Sequence, residues 1–221
     1  MSKLRLTVAE KKTVAKNVGR SGKPLANPPV STQQILHPDL YLTGVKPVSV
    51  TLPDWKGLIP ADWKLLEANV MGEFGLQEIL KQFLGEDRAN LLSPAWAADR
   101  YAVFEDSKKQ NPLVFRLTLD NSDDAARFFG QYSEALELKY ATRTELFRRP
   151  NFFQFQTDTG GVFLRCVDSA CLVLEGASRE VYDKINAAIG WTPAPSPSAA
   201  GPPAGIAQLG GASAHPALNA N

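Results

Sequence analysis

Apolar residues recur at helical spacing in several stretches of the chain, and these stretches are the predicted helices. Helical spacing predicts three long helices, over 72–84, 121–140 and 179–189, and two short ones, over 33–38 and 88–92. Gly85 and Gly190 follow two of the long helices as stop signals, and Asn121 or Ser122 is placed to cap the third. Pro38 is predicted to close the first short helix, because the residue before a proline disfavours helical geometry.

Alternating apolar and polar residues predict the strands. The alternating runs cover 48–52, 63–71, 100–105, 113–119, 144–148, 152–157, 162–167 and 171–175. A short polar turn joins 100–105 to 113–119, so these two runs are predicted to form a hairpin. Consecutive hairpins with interspersed helices favour an α+β fold, in which helices pack on one face of a mainly antiparallel sheet.

The two ends of the chain differ in composition from its middle. Residues 1–24 carry seven Lys and Arg against the single acid Glu10, and residues 191–221 consist largely of Ala, Pro and Gly. Because the whole chain has a formal net charge of +1, the part between these ends is net acidic. We therefore expect a basic arm and linker over 1–30, one α+β domain over 31–190, and an extended Ala/Pro-rich tail over 191–221.

The sequence carries few of the motifs that signal catalysis or cofactor binding. It has two histidines and two cysteines, and no HExxH, Cys-x-x-Cys or phosphate-binding glycine loop can be written from it. His37 is expected to cap a turn or to fill a packed junction, and no cofactor or metal site is predicted. The apolar runs are too short to span a membrane, and no secretory signal is recognisable, so a cytoplasmic location is expected.

A series of short motifs between Asn27 and Ala125 can be compared with known proteins. The motifs are NPPVSTQQILHPDLY (27–41), Trp63, MGEF (71–74), ADRY (98–101) and LDNSDDA (119–125). Together they resemble the C-terminal half of a bacterial family of gluzincin-like (HExxH) zinc-peptidase-like proteins. The resemblance extends over about 27–140, and STQQILHP is its most specific part.

The resemblance implies a non-catalytic region whose catalytic half is absent. The family's zinc ligands lie in an HExxH helix and on a later acidic residue, and no residue of this chain matches them. The chain also departs from the family pattern at 93–98, where SPAWAA replaces a glycine-rich turn, and at Leu119, where the family has Trp. Peptidase activity is therefore not carried over to this chain.

Cys166 and Cys171 flank the four residues VDSA between two predicted strands. A hairpin loop of this length would place the two cysteines opposite each other, at a separation compatible with a disulfide. In a reducing cytoplasm we expect two reduced thiols. A reversible redox pair and half of a metal site shared with a partner are the alternatives.

The function expected from these features is that of a non-enzymatic accessory subunit, which docks in a larger protein assembly at the cytoplasmic face of a membrane complex. Its partners would be other protein subunits and an anionic membrane surface, whereas a net acidic domain argues against nucleic acid. The expected partner contacts are Lys3, Arg5, Lys11, Lys12, Lys16, Arg20, Arg148, Arg149 and Trp191. The alternatives are a redox-responsive binding module, and a residual hydrolase that uses Asp99 and Glu73.

Overall fold

The computed structural model describes residues 28–196 of the chain. Its helices are α1 Thr32–Leu36, α2 Pro38–Leu42, α3 Gly72–Leu84, α4 Glu86–Leu92, α5 Ser122–Lys139 and α6 Arg179–Ala188. Its strands are β1 Lys64–Asn69, β2 Trp96–Glu105, β3 Leu113–Leu119, β4 Thr144–Arg149, β5 Phe152–Thr157, β6 Gly160–Val167 and β7 Ala170–Ala177. A short 3-10 turn, Ser93–Ala95, joins α4 to β2.

The seven strands form one sheet in the order β1-β2-β3-β7-β6-β5-β4, and every neighbouring pair is antiparallel. The sheet consists of the β1–β3 meander and the β4–β7 meander, which β3 and β7 join in the centre. The predicted α+β class and antiparallel sheet are confirmed. The predicted hairpin of β2 and β3 is also confirmed, and β2 begins four residues earlier than its alternating pattern indicated.

Three helices cover one face of the sheet, called here the first face. The buried apolar side chains of α3, α4 and α5 pack there against alternate residues of the central strands, such as Leu117 of β3 and Val173 of β7. Asn121 caps α5 by accepting a hydrogen bond from the Asp124 amide, as the sequence predicts. This face therefore has the helix-on-sheet packing that the sequence pattern favours.

The other face of the sheet, called here the second face, is covered by α6 and by irregular chain. Tyr182 of α6 stacks on Phe163, and Trp55 and Trp63 from the connection before β1 pack on Phe104. The expectation that helices pack on one face is therefore corrected for α6. Strand side chains alternate between apolar positions on both faces, so both faces of the sheet needed a cover.

Two further local predictions are corrected by the structure. The alternating run 48–52 forms no strand; it lies on the second face instead, where Leu52 packs and the carbonyl of Thr51 accepts a hydrogen bond from Arg116 of β3. Pro38 ends one helix and also begins the next, since proline is well tolerated in the first turn of a helix. The predicted helical turn is therefore the helix pair α1 and α2.

Candidate functional site

Helix α1 buries polar side chains and exposes apolar ones, whereas α2 buries the polar Asp39 together with the apolar Leu40. In α1 the buried residues are Gln33 and Gln34, whereas Ile35 is 64% exposed. In α2, Leu42 is 53% exposed. The arrangement in α1 is the reverse of the usual one on a protein surface, where polar side chains face water and apolar ones are buried.

Hydrogen bonds explain why the glutamines lie inside. Gln33 Nε2 donates to the carbonyl of Trp96 over 2.7 Å, and Gln34 Nε2 donates to the carbonyl of Val45 over 2.7 Å. Gln34 Oε1 also accepts a hydrogen bond of 2.8 Å from the amide of Val30. Gln33 therefore attaches α1 to the start of β2, and Gln34 ties α1 to the chain on either side of the helix pair. Ile35, Leu36 and Leu42 stay on the outside.

His37 lies between the two helices and ties them to α3. Its Nε2 is 2.7 Å from Oε1 of Glu73, which is 2% exposed. The glycine at position 72 allows α1 to pack closely on α3. Any other residue would place its Cβ only 2.3 Å from Oγ1 of Thr32. The expectation of a packed junction at His37 agrees with this geometry, although the sequence did not indicate Glu73 as its partner.

Asp99 of β2 holds the start of α3. Its carboxylate accepts hydrogen bonds from the amides of Met71 and Gly72, over 2.8 and 2.7 Å, and from Nε1 of Trp96 over 2.7 Å. Burial raises the pKa of Asp99 above its ordinary value, against these three hydrogen bonds, which lower it. Asp99 and Glu73, the two carboxylates of the hydrolase alternative, are therefore both engaged in fixing α3.

Two adjoining hollows lie beside the helix pair, and Val30 lines both of them. The first has a volume of about 660 Å³ and is also lined by Leu42 and Lys46. The second has a volume of about 270 Å³ and is also lined by Val48, Val70 and Arg100. We call these six residues the docking surface.

The docking surface is apolar at its centre and basic at its edges. Val30, Leu42 and Val48 are 64%, 53% and 57% exposed, and Val70 is exposed as well. Single exposed apolar residues are normal on proteins, but a contiguous group of them in a concavity is typical of an interaction site. Lys46 and Arg100 are both exposed, so each can meet a carboxylate of an occupant.

Cys166 and Cys171 lie opposite each other on β6 and β7 and are joined by a disulfide in the structure. Their Cα atoms are 4.1 Å apart, and the two side chains are 5% and 0% exposed within the first-face cluster. The expected position on adjacent strands is confirmed. The expectation of two reduced thiols differs from the bonded state that the structure records.

The remaining expected partner contacts fall into three groups. Arg148 and Arg149 lie on the exposed edge strand β4, where they stack on the rings of Phe153 and Phe147 at 4.3 and 4.7 Å. Trp191 is half-buried on the second face, beside the guanidinium of Arg165. The six cationic residues of the basic arm, Lys3, Arg5, Lys11, Lys12, Lys16 and Arg20, lie outside the described residues.

A metal-binding cluster and a membrane-spanning helix are both absent from residues 28–196. Among residues 28–196, no group of three or more His, Cys, Asp or Glu side chains is arranged to hold a metal ion. No helix within this range is both long enough and apolar enough to cross a bilayer.

Residues 64–186 match the protein family described as "Domain of unknown function (DUF8575)", a match that covers more than half of the 221 residues. The matched region runs from β1 into α6 and so contains the whole sheet. No curated protein and no solved structure matches the chain. The match does not bear on the gluzincin-like resemblance, which stays a prediction.

Proposed function

We propose that the chain, which belongs to the DUF8575 family, acts as a non-enzymatic accessory subunit that docks on another protein through the docking surface. The observation that carries this proposal is the reversed polarity of α1, next to the exposed apolar residues of the docking surface. Buried glutamines hold α1, Ile35 and Leu36 are exposed on it, and the exposed Leu42 of α2 lines the first hollow together with Val30. Association with a partner would remove these apolar side chains from water, which is favourable and would stabilise the complex.

The proposed occupant is an apolar segment of a different protein subunit, flanked by Asp or Glu. Val30 lies between the two hollows, so an apolar side chain of the partner would enter on either side of it. Carboxylates of the partner would meet Lys46 and Arg100 at the two edges. Charges at the edge of an interface act mainly on the rate and specificity of association, and the buried apolar centre supplies most of the affinity.

The test compares native masses in extracts of the cells that produce the protein. The variant Leu42→Asp/Val48→Asp places charges in the docking surface, and Leu91→Asp, at a residue that is 72% exposed on α4, is the matched control. All three substitutions are at exposed positions, and each should change the free energy of unfolding by less than about 0.5 kcal/mol. Wild type and the control should migrate in an assembly well above 24.1 kDa, and the double variant should migrate alone.

Two results would contradict the proposal. If all three proteins assemble alike, the docking surface is not the contact. If the purified wild type alone forms a dimer that the double variant abolishes, the occupant is a second copy of the chain and not another protein.

The proposal also includes a location for the subunit and a role for its basic arm. We propose that the subunit works in the cytoplasm, where the basic arm would add a contact with the anionic face of a membrane complex. Arg148 and Arg149 would extend this basic contact from β4. Binding to anionic vesicles that persists at high salt, or that survives removal of residues 1–24, would count against this part.

The disulfide favours one of the alternatives, a redox-responsive module at Cys166 and Cys171. Disulfides are characteristic of oxidising compartments and are rare in the cytosol, so the state of this pair in cells also tests the proposed location. A burial of 95% or more makes the pair a poor substrate for exchange with external thiols. The accessory-subunit proposal therefore stays first.

A further inference from the structure

Glu175, near the end of β7, is a buried carboxylate with one oxygen in use and one free. It is 4% exposed, and its Oε2 accepts hydrogen bonds from Nζ of Lys139 over 2.6 Å and from the hydroxyl of Tyr140. Its Oε1 is buried and has no hydrogen-bond partner among the described residues. A carboxylate offers about four lone-pair sites, and an unpaired buried oxygen costs free energy, so a donor from outside would be bound favourably here.

Glu175 lies where two hollows of different character meet. The larger, about 460 Å³, is lined by polar groups that include Gln110, Asn111 and Thr159. The smaller, about 190 Å³, lies between α3 and α5 and is lined mainly by apolar side chains, including Ile79 and Leu136. Leu113, Lys139 and Glu175 line both hollows.

The dimensions and chemistry of these hollows suit a small molecule. The larger hollow falls within the range of about 300–1,000 Å³ that is usual for small-molecule sites, and the smaller one supplies the apolar lining that such sites usually have. The pair of hollows offers an apolar compartment next to a polar one, and Glu175, whose Oε1 is unpaired, lines both. An occupant would therefore have an apolar body and a polar head.

The local charges indicate that the head of the occupant is neutral. The negative charge of Glu175 is matched by the ammonium of Lys139, which is 39% exposed. Burial raises the pKa of Tyr140, and the adjacent Glu175 carboxylate raises it further, so the phenol stays protonated and keeps donating to Oε2. Because the Glu175–Lys139 pair carries no net charge, a charged head would leave water without a net Coulombic gain, and a neutral donor avoids that cost.

We infer that this site binds a small neutral amphiphile, whose hydroxyl or amide head donates a hydrogen bond to Oε1 of Glu175. Its apolar body occupies the hollow between α3 and α5. The site has no lining residue in common with the docking surface, so this inference does not rest on the proposed function.

The test measures the binding of four eight-carbon probes to the purified full chain by NMR titration. The probes are octanamide, 1-octanol, octanoate and octylamine. Octanamide and octanol should shift the methyl signals of Ile79, Leu113 and Leu136, and octanoate and octylamine should bind at least about tenfold more weakly. Equal binding of all four probes, or no binding of octanamide, would overturn the inference.

Substitutions then test the acceptor itself. Glu175→Gln keeps the size of the side chain and replaces one carboxylate oxygen by an NH₂ group, so octanamide should bind about 10–100-fold more weakly. The control Glu134→Gln alters an exposed carboxylate on the same helix as Lys139 and should leave binding unchanged. An unchanged affinity in a folded Glu175→Gln protein would contradict the inference.

A second variant keeps the inference testable if Glu175→Gln unfolds the protein. Gln82 is exposed and lines the smaller hollow, so Gln82→Trp should obstruct that hollow without entering the core. Octanamide should lose at least about tenfold in affinity in this variant. Retained affinity in Gln82→Trp would show that the apolar body lies elsewhere and would overturn the inference.

Discussion

The two faces of the sheet are covered in different ways. On the first face, amphipathic helices contribute regularly spaced apolar residues to one cluster, which includes Leu80 and Phe128. On the second face, one helix shares the cover with irregular chain, and Arg165 and Arg179 bind the irregular segment that follows this helix. Arg165 donates to the carbonyl of Thr192 over 2.6 Å, and Arg179 donates to the carbonyls of Ala194 and Pro195 over 3.1 Å each.

The difference shows two ways to cover a sheet. Helices satisfy their own backbone groups, so apolar side chains alone can attach them. An irregular segment leaves carbonyls without partners, and a buried guanidinium, with five donors, can satisfy several of them at once. We therefore expect stability to depend on apolar volume on the first face and on hydrogen bonds at the edge of the second.

The largest expected effect is on the first face. Leu80 is fully buried, so Leu80→Ala should lower the free energy of unfolding by about 3 kcal/mol through lost burial and the cavity left behind. Leu58 is half-buried in the irregular cover, so Leu58→Ala should lower the free energy of unfolding by only about 1 kcal/mol. Urea unfolding measures both values, and equal losses would remove the distinction between the faces.

The second prediction concerns Arg165, which is 6% exposed and also donates to Oδ1 of Asn186 over 2.9 Å. Arg165→Ala should cost about 2–3 kcal/mol, because it leaves buried acceptors unpaired. In a chain that ends at residue 190, the same substitution should cost less, since the Thr192 contacts are already gone. The exposed Arg127 is the control, and additive losses in the two backgrounds would contradict the proposed role of Arg165.

The smallest of the three effects is expected at the cysteine pair. Cys166→Ala/Cys171→Ala should cost about 2 kcal/mol, because the disulfide closes only a short loop and so constrains the unfolded chain modestly. Without reductant, the denatured wild type should take up no alkylating label, and with reductant it should take up two. Two labels without reductant would show that the pair is reduced, as the sequence led us to expect.

The sequence was most informative where a helix or strand has one regularly apolar side. The bounds of α3 were predicted exactly as found, and those of α6 to within one residue, because their apolar spacing and glycine stops are local signals. The sequence did not predict the cover of the second face, because no local pattern indicates that Trp55 packs on the distant Phe104. The alternation in 48–52 gave no sign that this run packs on the face of the sheet and joins no strand.

The candidate sites depend almost entirely on contacts between residues that are distant in sequence. His37 meets Glu73 from 36 residues away, and Lys139 meets Glu175 from the same separation. Buried glutamines in α1 also contradict the usual inference that polar residues face water. One signal was available in the sequence, namely the mixed polarity of this segment. Ile35 and Leu36 directly follow two glutamines that a surface helix would normally expose, and Leu42 is a further apolar residue nearby.

The most direct test of the docking proposal is a site-specific photocross-link in the cells that produce the protein. A photoreactive residue replaces Leu42 in the docking surface or, as the control, Leu91 on α4. We predict one protein adduct from position 42 and none from position 91, with the cross-linked peptide carrying apolar residues next to Asp or Glu. No adduct at position 42, equal adducts at both positions, or an adduct only with the chain itself would contradict the account.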